Sequence, residues 1–173
     1  MSKLQLKKEL QRLSKEQLIE QICELYSTYK PVKDYYNTFL NPDNIQELFE
    51  KYKAIIVNEF FPERKSRGPK LRFSVAKKAI ADFSTLKPPP VLIANLMVTL
   101  AENACKFTNH YGDMPEQFYN SAANNFVKAL QYLQKEGFLD DFKLRFEDCL
   151  KYVEDCGYGF ADGINDVFDE YYQ

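Results

Sequence analysis

PPPVLIANLMVTLAENACKF, residues 88–107, is the stretch whose reading decides the fold. Proline lacks a backbone donor and is tolerated in a helix only in the first turn, so a new helix starts at Pro90 or Val91. From Val91 to Cys105 the apolar side chains cover most of the circumference, leaving a narrow polar line through Asn95, Thr99, Glu102 and Lys106. A helix of that kind must be covered by neighbours on nearly every side, so about 91–107 is expected to be the central buried helix. Glu102, Asn103 and Lys106 interrupt it too early for a membrane span, which needs about 20 apolar residues.

Outward from this element, amphipathic helical patterns recur in both directions. Ser2 precedes a short helix with Leu6, Leu10 and Leu13 at helical spacing. Ser14 followed by Gln17 is a capping-box pattern opening a helix at Lys15. That helix carries Leu18, Ile22, Leu25 and Tyr29 as a stripe expected to bury one face. Pro31 breaks or kinks it, and Val32, Tyr35, Tyr36, Phe39 and Leu40 resume the spacing. A strongly amphipathic segment follows, with Ile45, Leu48, Phe49, Tyr52, Ile55, Ile56 and Phe60 on one side. Ser74 is expected to cap the next helix, whose Val75, Ala79, Ile80 and Phe83 face inward. After the central helix come a turn at Gly112 and Pro115, a helix to about Lys135, another through Phe142–Val153, and a last one from about Phe160. No segment alternates over a strand length. The fold expected is all-α: one domain, 1–173, of seven or eight antiparallel helices, in an irregular bundle or a short stack of helix pairs.

The opening residues have no continuous apolar run, so a cytoplasmic protein with reduced cysteines is expected, and no contact with membrane. Cys23, Cys105, Cys149 and Cys156 lack the C-x-x-C spacing of zinc or redox sites. No cofactor motif is present, neither G-x-G-x-x-G nor G-x-x-x-x-G-K-[ST].

Charge is distributed unevenly. Residues 1–87 hold 17 Lys/Arg against 11 Asp/Glu and residues 88–173 hold 6 against 14, so the first half can attract anions and the second cations. The basic segment offers Arg64, Lys65, Arg67, Lys70, Arg72, Lys77 and Lys78 to a nucleic acid or other polyanion, with Gly68 letting the backbone approach. Only Phe73 lies inside it as a stacking aromatic. The last helix carries Asp162, Asp166, Asp169 and Glu170, an acidic face able to meet a cation, the basic segment or the basic segment of a second copy in a dimer. His110, the sole histidine, stands with Asp113 and Glu116 as H-x-x-D-x-x-E, but Gly112 and Pro115 deny the three a common helical face. No G-x-S-x-G elbow accompanies Ser84 or Ser121.

Two segments together, SKLQLKKELQRLSKEQLIEQICELY…KPVKDYYNTFLNPDN and CGYGFADGINDVFDEYY, resemble a family of small bacterial all-helical proteins catalogued only as a domain of unknown function. The resemblance covers nearly the whole chain and implies a stand-alone cytoplasmic domain without assigned activity or site residues. The functional expectation is a non-enzymatic helical module binding another protein through a groove between helices or through its charged faces. The alternative is polyanion binding through residues 64–78, and a third reading is a metal-dependent or other enzyme.

Overall fold

The computed structural model describes residues 1–41, 44–63, 68–157 and 159–172. The described residues form nine α-helices and no strand. The extra helix relative to the sequence expectation arises at Pro31, which sits in the first turn of a separate helix after Tyr29 turns extended. The chain gathers into two compact units, residues 1–45 and 46–173.

The first unit holds α1 (Lys3–Leu10), α2 (Lys15–Thr28) and α3 (Lys30–Leu40). Both leading helices open on capping boxes: Ser2 with Gln5 and Ser14 with Gln17 each satisfy two otherwise orphaned backbone donors. α2 and α3 pair, and the Tyr26 hydroxyl donates to Asn37 Oδ1 at 2.8 Å. The stripe on α2 is not buried as expected. Ile22, Leu25 and Tyr29 remain 38%, 46% and 55% exposed, because a two-helix pairing covers only one edge of a helix.

The second unit is built from most of α4 (Asn44–Phe60) together with α5 (Phe73–Thr85), α6 (Pro90–Tyr111), α7 (Glu116–Glu136), α8 (Leu139–Val153) and α9 (Phe160–Tyr172). α6 is the expected central helix, longer than the apolar run by a turn at its end; Gly112, at φ 83, stops it. It packs against α5, α7 and α8, and α9 lies across α7 and α8. Eleven α6 residues are buried, from Ala94 to Thr108. Around them Phe60, Phe83, Phe126 and Phe146 are fully enclosed, with Phe60 edge-on to Phe73 and Phe126 edge-on to Phe146. Gly137, in left-handed conformation at φ 79, ends α7 and turns the chain into α8.

Two local expectations are corrected. Ser74 does not cap α5: the helix already includes Phe73 and begins after Arg72, which Glu59 holds in place. Ile55 is 41% exposed, the neighbouring Ile56 having taken the inward position.

Candidate binding cleft

A concavity of about 830 Å³ in the second unit opens where the α6–α7 turn meets the starts of α7 and α9. The turn contributes Asp113, Met114 and Pro115; α7 contributes Glu116, Tyr119, Asn120 and Ala123; Gly159, Phe160 and Gly163 come from the start of α9. That volume lies within the range of ligand pockets, roughly 300–1,000 Å³.

Proline at the N-cap of α7 starts that helix, and Tyr119, one turn in, fixes the turn before it. Its hydroxyl donates to Asp113 Oδ1 at 2.8 Å and accepts the Met114 N–H at 3.1 Å, and that N–H also reaches Asp113 Oδ1 at 3.0 Å. Burial raises the Tyr119 phenol above its ordinary pKa, and the Asp113 carboxylate adds to the rise, so the hydroxyl stays a donor. The Tyr119 ring lies 4.8 Å from that of Phe160, and the two buried rings join the walls. Gly159 needs its positive φ of 70. Gly163 is an ordinary helical residue, and a Cβ placed there would meet nothing within 4 Å.

The acidic face is adjacent. Asp162, Asp166, Asp169 and Glu170 are all exposed, and none enters an ion pair among the described residues. At about 100° per residue, Asp166 and Glu170 follow Gly163 on one side of α9, whereas Asp162 and Asp169 turn away.

The basic segment is dispersed in role. Arg64, Lys65 and Arg67 lie outside the described residues. Arg72 is held by the buried Glu59: its Nε donates to Oε2 at 3.0 Å, Nη2 to Oε1 at 2.6 Å, and its backbone N–H to Oε2 at 3.2 Å. The Glu59 carbonyl also accepts the N–H groups of Lys70 and Leu71. Lys78 pairs with Asp82 on its own helix. Lys70 and Lys77 are exposed and make no ion pair among the described residues.

His110 is exposed and packs edge-on to Tyr111 and Phe61. Among the described residues no group of three His, Cys, Asp or Glu side chains is arranged to hold a metal, and no helix is long and apolar enough to cross a membrane. In the sequence Asp113 and Glu116 stand out only beside His110, Tyr119 only as one of many tyrosines suited to half-buried surfaces, and Phe160 only as the start of the last helix, while Asn120, Ala123 and Gly163 carry no signal of a shared site. Gly163 is odd only by itself, a glycine inside an amphipathic helix with no turn to explain it.

What these features define is an all-helical protein carrying an acid-rimmed cleft. The chain belongs to a family of unknown function, DUF6155, whose model matches residues 1–168. No curated protein matches it, and no solved structure does.

Proposed function

We propose that the protein is a non-enzymatic interaction module of the cytoplasm that holds a segment of another protein in the cleft between α7 and α9. The observation that carries this reading is the cleft itself: about 830 Å³, walled by Phe160, Met114 and Ala123, with Asn120 and Glu116 able to fix a backbone or side chain. Partly apolar walls with a few polar groups are what recognition of an amphipathic segment uses.

A photo-crosslinking residue at position 120 tests it, with the same residue at position 144 as control, since Leu144 is 75% exposed on α8. A discrete polypeptide adduct from the native host at 120 and not at 144 is expected. Equal labelling at both positions, or none at 120, removes the reading.

The alternative, polyanion binding, draws support from Lys70 and Lys77, whose ammonium groups are exposed and outside any described ion pair. Binding of labelled DNA or RNA that weakens steeply with added salt would favour it; no binding at low salt would eliminate it.

A further inference from the structure

We propose that the notch at Gly163 receives the apolar side chain of a cationic, amphipathic peptide segment from a partner protein, whose Lys or Arg residues meet the carboxylates along the cleft. This rests on the reading that the cleft holds a polypeptide.

Glycine inside a helix is unfavourable relative to alanine, so its presence calls for a physical reason. Two usual reasons are absent at Gly163. Its φ is not positive, and among the described residues no atom beyond its own stretch of helix approaches within 4 Å of where a Cβ would stand. Gly159 and Gly137, by contrast, are needed by their backbone. The space beside Gly163 opens into the cleft, which Ala123, another small residue, lines from α7. Removing side-chain volume there enlarges the recess at the expense of the helix, which is understandable if something outside the chain fills it.

Charge selects the occupant. Asp113 and Glu116 line the cleft, no Lys or Arg is among the described residues that line it, and Asp166 and Glu170 continue along the Gly163 side of α9. None of the four is neutralised by an ion pair among the described residues. An anionic segment would meet like charge there, whereas a cationic one completes the rim. The combination of an apolar notch and a carboxylate rim suits a helix with bulky apolar residues on one side and Lys or Arg on the other.

The test measures binding of a fluorescent Leu/Lys amphipathic peptide by anisotropy, beside a Leu/Glu peptide of the same pattern and an all-Lys peptide. The Leu/Lys peptide is expected to bind the full chain most tightly. Gly163→Leu fills the notch and is expected to weaken it about tenfold or more, the effect of denying burial to one large side chain. Its melting temperature should not fall, and Ala123→Leu, which fills the notch from the opposite wall, provides a second block should Gly163→Leu fold poorly. Glu116→Gln combined with Asp166→Asn should flatten the salt dependence. Failure of the Leu/Lys peptide to bind, unchanged affinity in both filled variants, or equal binding of either other peptide overturns the proposal. If adducts at position 120 still form in that case, the interaction reading stands without this inference; if they do not, both fall.

Discussion

Arg145 on α8 donates from Nη2 to Glu102 Oε2 on α6 at 2.5 Å, and the same guanidinium reaches Asn95 Oδ1 at 2.9 Å and Thr99 Oγ1 at 3.2 Å. One side chain thereby satisfies three of the four polar residues in the line that runs down an otherwise apolar helix; Lys106 closes the other side of Glu102 at 2.8 Å. The line is where α6 accepts α8, and the hydrogen bonds fix which way the two helices face. Apolar contact alone leaves that choice loosely specified.

Replacing Arg145 by Met keeps much of the side-chain volume and removes every donor. Glu102 keeps Lys106 but loses its shortest contact, and Asn95 and Thr99 lose a partner. A stability loss of about 2 kcal/mol is expected, the usual cost of stranding partly buried polar groups. Urea denaturation would show it as a lower midpoint at unchanged slope. An unchanged midpoint would mean that the seam contributes no net stability.

The same seam gives a pH dependence. Burial raises the Glu102 pKa, but the hydrogen bonds and charges of Lys106 and Arg145 outweigh it and hold the carboxyl below its ordinary value of 4.5. A carboxyl depressed in the folded state contributes stability that is complete above its unfolded pKa and is lost as pH falls through the folded one. Denaturation midpoints should therefore decline below about pH 4.5, and Glu102→Gln should show a shallower decline than the parent. Equal slopes in the two proteins would contradict this assignment.

How much of this was legible in the sequence follows from the range of each interaction. The capping box at Ser14 and the stop at Gly112 are local, and the sequence shows them directly, whereas at Ser2 the sequence reading reaches only a helix beginning and not the reciprocal bond with Gln5. The apolar circumference of α6 states that it is central without saying what covers it. The polar line was visible too, but its partner Arg145 lies 43 residues beyond Glu102, and nothing local pairs them. Arg72 read as one more cation in a basic run because Glu59 sits thirteen residues earlier on an amphipathic helix, where a glutamate is ordinarily a surface residue. The acidic residues of α9 were legible as charge. The cleft beside them is lined by residues from the α6–α7 turn, α7 and α9, as far apart in the chain as Asp113 and Gly163, and no local pattern brings them together.

Glu59 and Arg72 make the basic segment testable residue by residue. The pairing lowers the Glu59 carboxyl, chiefly through its hydrogen bond to Arg72, and Glu59 also anchors the backbone of residues 70–72. Glu59→Ala should cost on the order of 2–3 kcal/mol, because an arginine and a backbone donor lose their acceptor together. Lys70→Gln and Lys77→Gln should leave the denaturation midpoint within about 0.5 kcal/mol of the parent. If the two lysine variants destabilise as much as Glu59→Ala, the division between a structural arginine and surface lysines is wrong.

Two glycines of similar appearance in the sequence should respond in opposite directions. Gly163→Ala adds a methyl into open space on a helix and should raise stability by about 0.5–1 kcal/mol. Gly137→Ala meets no neighbour either, but at φ 79 it forces a left-handed conformation on a residue with a Cβ and should cost about 1 kcal/mol. Thermal melts of the two variants would separate conformational need from mere space. A loss of stability at Gly163→Ala would show that this glycine serves the fold and would withdraw the argument that its space is kept for a partner.

Tyr172 supplies a test at the alkaline end. Its hydroxyl donates to the Leu139 carbonyl at 2.9 Å, its ring packs on Phe168, and Lys143 lies 5.7 Å from the ring centre. Burial, with the carboxylates of Asp140 and Glu147 adding to it, pushes the phenol up to about 12. A phenol raised in this way contributes stability that is complete below the unfolded value, about 10, and is lost as pH rises through about 12. An ultraviolet titration of the folded protein should therefore include a late-ionising fraction that Tyr172→Phe removes. The variant should also lose stability at neutral pH by about 1 kcal/mol, the net contribution of one hydrogen bond, and the gap between the two proteins should narrow above about pH 11. A gap that stays constant to pH 12 would mean that the α8–α9 contact does not depend on the protonated hydroxyl.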